Sequence, residues 1–218
     1  MSPEKNRIIG ICGSIGSGKD TAAEYLVQNY EFTRLSFASV LKDACANIFG
    51  WDRSMLEGKT AEDRHIRENI DEWWADRMKI INFSPRYALQ YVGTDLFRDR
   101  LHKDIWIYAL EKTIQKYDRV VISDVRFPNE IEMLKRLSAD LWYVHRGEKP
   151  YWFEPIRDIL LNCIFDKKAK RDISLIYPEV HESEWAWIAT KFDYTISNND
   201  NLSDLYENVG KGFFLKKN

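Results

Sequence analysis

The chain has 218 residues, 44% of them hydrophobic and 30% charged, and its formal net charge of −2 excludes a strongly basic field that would attract nucleic acid. An anionic ligand must therefore be met by local clusters of Arg and Lys. No apolar stretch approaches the roughly 20 residues of a membrane span, and the polar first residues lack the apolar region of a signal peptide. Cys12, Cys45 and Cys163 form no CxxC or Cys/His metal pattern, so we expect reduced thiols in a cytoplasmic protein.

Apolar, β-branched runs alternate with segments of helical spacing along the chain. Strands are predicted, in chain order, at 7–12, 32–37, 118–124, 141–145 and 194–197. Helices are predicted at 20–30, after Pro85, at 129–137 and at 202–215. Residues 38–117 are mostly helical and charged, and 147–185 are aromatic and basic. This alternation predicts an α/β fold with a parallel sheet covered on both faces.

A glycine-rich turn, Gly13-Ser-Ile-Gly-Ser-Gly-Lys19, fits the GxxxxGK phosphate-loop pattern between the first strand and the first helix. Successive N–H groups of such a loop turn inward around a phosphate, and the helix N-terminus adds a partial positive charge. Lys19 is predicted to reach the β- and γ-phosphates of a nucleotide. The structural alternative is a plain β-to-α turn with a solvated lysine.

The loop departs from the common pattern at the residue after the lysine. Asp20 stands where Ser or Thr usually binds Mg²⁺, and the hydroxyl comes one residue later, at Thr21. We therefore expect metal to be held mainly through water. An acid at a helix N-terminus is also favourable in itself, so the role of Asp20 stays open.

Asp124 follows a predicted buried strand, where a carboxylate faces the ligand crevice of an open α/β sheet. It is a candidate for organising Mg²⁺, or it caps the next turn. Arg126, two residues on, either clamps a phosphate with its planar fork or forms a salt bridge with Glu130.

The segment from Ser84 to Arg98 carries a third set of polar residues. Arg86, Gln90 and Gly93 are spaced i, i+4 and i+7, which predicts a shared helix face. Such a face could hold a phosphate and a base edge. The spacing is equally typical of a charged surface helix with a glycine near its end.

Seven segments in this order resemble the bacteriophage-type deoxynucleoside monophosphate kinases, over nearly the whole chain. The GKDT ending of the loop is shared with other small-molecule kinases, whereas PR-x3-Q-x2-GTD and DVRFPNE are far more specific in combination. The segments are 13–21 (ending GKDT), 36–42 (SFASVLK), 84–95 (SPRYALQYVGTD), 105–106 (IW), 123–130 (SDVRFPNE), 181–184 (HESE) and 196–199 (ISNN).

The resemblance implies a P-loop kinase fold that transfers the γ-phosphoryl group of ATP to a deoxynucleoside 5′-monophosphate (dNMP), with Mg²⁺. It implies catalytic roles for Lys19, Asp124 and Arg126, and Mg²⁺ held by Asp124 and, through water, Thr21. The residues implied to bind ATP are Gly13, Ser14, Gly16, Ser17, Gly18, Lys19, Asp20, Thr21 and Asn198. Those implied to bind the acceptor are Lys42, Arg67, Arg86, Gln90, Gly93, Thr94, Trp106, Asp124, Arg126 and Arg146.

One kinase domain is expected, with a core at 1–37, 106–146 and 190–218, an acceptor-binding helical region at about 38–105 and a lid at about 147–189. The expected partners are small nucleotides, with a homodimer left open and no membrane or nucleic acid. Three alternatives stay open: a kinase for dephospho-coenzyme A or phosphomevalonate, a slow nucleotide-binding switch, and nucleic-acid binding through the basic run 167–171.

Overall fold

The computed structural model describes residues 7–58, 60–162 and 167–215. Cys163 and the polar first six residues lie outside this range, and so do the side chains of the lysines at 167, 168 and 170 in the basic run. The described chain divides into two compact units. The first consists of residues 1–35 and 114–218, and the second of residues 36–113.

The first unit is built on a five-stranded parallel sheet of order β2-β3-β1-β4-β5. The strands are β1 Arg7–Cys12, β2 Thr33–Leu35, β3 Arg119–Ile122, β4 Asp140–His145 and β5 Tyr194–Ser197. All five were predicted from the sequence, with ends differing by a few residues. The parallel α/β fold predicted from the alternation is confirmed.

Helices follow the strands of this unit. They are α1 Lys19–Tyr30, α7 Pro128–Arg136, α8 Phe153–Asn162, α9 Lys167–Ile176, α10 Glu182–Trp185 and α11 Leu202–Phe214. The strand β1 lies between β3 and β4, which explains its β-branched run. Ile9 and Ile11 are completely buried and pack with Leu26 of α1 and Val144 of β4. Each such side chain contributes about 1.5–3 kcal/mol through burial alone.

The second unit is helical. It contains α2 Ser39–Phe49, α3 Ala61–Glu68, α4 Glu72–Met78, α5 Pro85–Gln90, a π-helical segment Tyr91–Arg98 and most of α6 Ile105–Ile114. Its core joins Cys45 and Leu56 to a cluster of aromatic rings that includes Phe49 and Trp51. The indole N–H of Trp51 donates to Asp71 over 2.7 Å, so the polar atom of this ring has a hydrogen-bond partner.

Pro85 opens α5 as predicted, but the α-helix ends at Gln90 and continues as a π-helix. A π-helix turns less per residue than an α-helix, which shifts every later position around the axis. The prediction that Gly93 shares a face with Arg86 and Gln90 is therefore wrong. Gly93 is buried, whereas Arg86, Gln90 and Thr94 are all exposed.

Among the residues that the structure describes, no helix combines the length and apolar character that crossing a bilayer requires.

Candidate functional site

The turn between β1 and α1 has the backbone of a phosphate-binding loop. Gly13 and Gly18 both have positive φ angles, 153° and 99°. A Cβ on Gly13 would lie 2.3 Å from the carbonyl oxygen of Val144, and one on Gly18 would lie 2.4 Å from Asn198 Nδ2. Backbone conformation and close packing thus both require glycine at these two positions.

Lys19 begins α1 and is only 9% exposed. Its ammonium group donates to the carbonyl oxygens of Gly13 and Ser14, each over 2.7 Å. Burial lowers the pKa of Lys19, and the positive charge of Arg126 lowers it further, while Asp20 and Glu184 act in the opposite direction. The lysine is therefore held over its own loop, in electrostatic contact with Arg126.

Asn198 follows β5 and fixes the other side of the loop. Its side-chain amide donates to the carbonyl oxygen of Ser17 over 2.9 Å, in a buried position. The hydroxyl of Ser17 is buried without a hydrogen-bond partner, which leaves an unsatisfied polar group inside the loop. A cavity of about 380 Å³ opens beside the phosphate loop. Its lining includes Gly16, Gly18, Lys19, Asp20, Thr21, Arg146 and Asn198.

Asp20 has partners that its position in the sequence did not reveal. Its carboxylate pairs with Arg34 of β2 and accepts the hydroxyl of Ser123 over 2.9 Å. Arg34 also donates to Ser123 over 2.8 Å. Asp20 thus connects the start of α1 to the ends of β2 and β3. Neither Arg34 nor Ser123 was assigned a role from the sequence, because the three residues are far apart along the chain.

Asp124 and Arg126 lie in the loop after β3. Asp124 is half-buried at the carboxyl edge of the sheet, where the sequence placed it. The Glu130 carboxylate accepts the backbone N–H groups of Arg126 and Phe127, over 2.8 and 3.0 Å. The guanidinium of Arg126 extends to Ser183 of α10, 3.2 Å from its hydroxyl.

The second unit contains the other predicted anion-binding residues. Lys42 donates to Glu57 over 2.7 Å, and Arg86 pairs with Glu68 over 2.9 Å. Burial would raise the pKa of Glu57, but hydrogen bonds from Lys42 and Arg53 lower it. The Lys42 ammonium therefore has an ionised partner within the unit.

Arg67 and Trp106, also in the second unit, are placed differently from each other. Arg67 donates to the carbonyl oxygen of Leu56 over 3.3 Å, and its Nε is buried without a partner. Trp106 is 5% exposed and donates its indole N–H to the carbonyl oxygen of Gly93 over 2.9 Å. Trp106 and Gly93 are thus both packed inside the unit, where Gly93 also lies against Leu41. That they border a ligand stays a prediction.

Known proteins resemble this chain in sequence. The profile of the family described as "Deoxynucleotide monophosphate kinase" matches residues 53–158. A protein of Acanthamoeba polyphaga mimivirus, named as a candidate deoxynucleotide monophosphate kinase, is 36% identical over 152 residues, covering 64% of this chain and 74% of the viral protein. The deoxynucleoside-5′-monophosphate kinase of Escherichia phage T5 is 31% identical over 181 residues, covering 60% of this chain and 72% of the phage protein.

A solved structure with a similar course of the chain is a dephospho-CoA kinase from Campylobacter jejuni, at 13% identity and a TM-score of 0.43 over 95% of each chain. The two viral relatives are much closer in sequence, and each is matched over more than two thirds of its length. The phosphate loop, with Lys19 hydrogen-bonded to it, is what a phosphotransferase of this kind needs. The chain belongs to the deoxynucleotide monophosphate kinase family.

Proposed function

We propose that this chain transfers the γ-phosphoryl group of ATP to a deoxynucleoside 5′-monophosphate, giving ADP and a deoxynucleoside diphosphate. The observation that carries the proposal is the phosphate loop around the buried Lys19, whose ammonium group donates to the carbonyl oxygens of Gly13 and Ser14. Arg126 acts electrostatically on this ammonium, and the phosphates of a nucleotide would compensate both positive charges.

ATP binds at the phosphate loop. The loop N–H groups and Lys19 hold the β- and γ-phosphates. The adjoining cavity of about 380 Å³ is within the range of small-molecule sites and suits the nucleoside part. Arg146 and Asn198 line this cavity and contribute to nucleotide binding. The unpartnered Ser17 hydroxyl supports the same assignment, since a phosphate oxygen would satisfy it.

Basic residues of the second unit bind the acceptor phosphate. Lys42, Arg67 and Arg86 belong to that unit. The buried, unpartnered Nε of Arg67 supports an anion there, because a phosphate oxygen can accept it. Gln90 and Thr94 are both exposed and contact the acceptor nucleoside in this proposal.

Asp124 and, through water, Thr21 would hold Mg²⁺, which would supply positive charge to offset that of the phosphates. Among the described residues, no cluster of three or more His, Cys, Asp or Glu side chains could enclose a metal ion. Asp20 serves mainly as the partner of Arg34 and Ser123.

The reaction needs no nucleophilic side chain, because an oxygen of the acceptor phosphate attacks the γ-phosphorus directly. The chain's contribution is to position two anionic substrates and to offset their repulsion, with Lys19 and Arg126 as the stabilising charges. The lid region, about 147–189, excludes water that would otherwise hydrolyse ATP. The protein acts in the cytoplasm in this proposal, and its binding partners are small nucleotides.

The direct test measures ADP formation from ATP with each dNMP added singly. Dephospho-coenzyme A and phosphomevalonate are tested in the same way as alternative acceptors. At least one dNMP should stimulate ADP formation about tenfold or more over acceptor-free hydrolysis, since closure follows acceptor binding. Stimulation only by a non-nucleotide acceptor would assign another kinase activity. Binding of ATP without stimulation by any acceptor would favour the slow nucleotide switch.

The pH profile should report the ionisation of Lys19. Its pKa is lowered, first by burial and then by Arg126, and only the protonated form binds phosphate. Activity is therefore present below the folded pKa of Lys19 and lost as pH rises through it. A bound nucleotide favours the ammonium form, so the alkaline loss should occur at lower pH in kcat/KM for ATP than in kcat. Profiles over about pH 7–11 test this, and coincident alkaline limbs would contradict it.

A further inference from the structure

The segment His181–Glu184 belongs to the motifs that resemble the family, yet the resemblance assigns it no role. Its last three residues open the short helix α10, Glu182–Trp185. Trp185 is 1% exposed and anchors this helix in the interior. The side chain of Glu184 is 19% exposed and that of Ser183 is buried, so protein atoms surround most of both side chains.

Glu184 faces two groups of the candidate phosphate site. One carboxylate oxygen accepts the backbone N–H of Ile15, in the middle of the phosphate loop, over 3.2 Å. The other lies 3.7 Å from the guanidinium of Arg126. The same Arg126 nitrogen donates to the Ser183 hydroxyl, which lies 2.9 Å from Nδ1 of His181.

A loop N–H and an arginine fork are the donors that proteins use to bind phosphate oxygens. The Glu184 carboxylate therefore makes, within the chain, the kind of contacts that a nucleotide phosphate makes with such a site. It also acts on Lys19, whose pKa it raises against the larger effect of burial. A carboxylate and a phosphate of the same charge sign cannot share these donors without strong repulsion.

We propose that Glu184 is a further residue of the nucleotide-phosphate site and sets its affinity, because its carboxylate competes with a nucleotide phosphate for the N–H of Ile15 and for Arg126. The inference rests on the proposed function. Nucleotide binding requires the carboxylate to leave the loop, so the apparent dissociation constant rises with the fraction of molecules in which the contact is formed. Ser183 is uncharged and continues to position Arg126 when Glu184 withdraws.

The opposite role for Glu184 would be to bind the nucleotide's Mg²⁺. The two roles predict opposite results when the charge is removed. A competitor, once neutralised, leaves a site that binds nucleotide more tightly with or without Mg²⁺. A metal ligand, once neutralised, leaves a site that binds the Mg²⁺ complex more weakly.

The experiment is calorimetric titration of the full chain with ADP and with inorganic tripolyphosphate, each with and without Mg²⁺ and without acceptor. Glu184→Gln keeps the side-chain shape and removes the charge. Glu179→Gln is the matched control, since Glu179 is an exposed glutamate of the same region that accepts the hydroxyl of Tyr151. Glu184→Ala repeats the test if the glutamine variant melts at a lower temperature than the wild type.

Glu184→Gln should bind both ligands about fivefold to tenfold more tightly than the wild type, as expected for loss of a partly exposed charged contact. Glu179→Gln should stay within about twofold. Unchanged affinity in Glu184→Gln, or weaker affinity confined to Mg²⁺, would overturn the inference while the proposed function stands. A folded wild type that binds neither ligand would overturn both.

Discussion

Lys19→Met is expected to lower kcat/KM for ATP by about a thousandfold, the scale seen when a group that stabilises charge in a transition state is lost. Methionine matches the length and apolar stem of lysine, so it fits the 9% exposed position. It cannot donate to a phosphate, nor to the carbonyl oxygens of Gly13 and Ser14 that the ammonium now contacts. The variant thus removes the charge with little change in packing.

Steady-state kinetics with a saturating dNMP measure this loss, and a thermal melt confirms that the variant is folded. Lys211→Met is the matched control, because Lys211 is an exposed lysine of α11 paired with Glu207 over 2.7 Å. Its activity should match the wild type. A folded Lys19→Met enzyme within tenfold of wild-type kcat/KM would show that the loop does not hold the transferred phosphoryl group.

Arg126→Ala should lower kcat by about a hundredfold to a thousandfold, whereas the dissociation constant of ADP should rise by no more than about tenfold, as expected for loss of one contact to a bound phosphate. The reason is that the guanidinium acts electrostatically on the buried Lys19 and is held by Ser183 and Glu184. It can therefore stabilise charge that develops during transfer. Arg126→Lys should recover only a minor part of the activity, since an ammonium group lacks the planar fork.

Rapid-quench measurement of single turnovers separates the chemical step from ADP release and so tests the effect on kcat. Arg157→Ala serves as the control, because Arg157 is a half-exposed arginine of α8 paired with Glu154 over 3.3 Å. Equal losses in kcat and in ADP affinity would mean that Arg126 acts only by binding the donor nucleotide and not in the transfer step.

The strands and the phosphate loop could be predicted because their signals are local. The apolar run 7–12 matches β1, and the run predicted at 118–124 contains β3. A strand buried on both faces needs consecutive apolar residues, and a phosphate loop needs glycines at fixed spacing. Neither requirement involves any residue distant in the chain.

The helix after Pro85 was predicted only in part. Its start follows from proline at the first turn, but the change to a π-helix at Tyr91 has no signature in the apolar spacing. The i, i+4, i+7 spacing placed Gly93 on the face of Arg86 and Gln90 by assuming an α-helical turn throughout. In the structure Gly93 is instead buried, and its carbonyl oxygen accepts the indole N–H of Trp106.

The sequence by itself determined the parallel α/β architecture, the phosphate loop with Lys19, and the family motifs that include Arg126. Only the tertiary structure decided what surrounds these residues: Arg34 and Ser123 on Asp20, and Ser183 and Glu184 on Arg126. The physical reason is separation along the chain. Backbone conformation and periodic burial are encoded within a few neighbouring residues, whereas a side chain's partners are set by which strand ends and helices the folded sheet brings together.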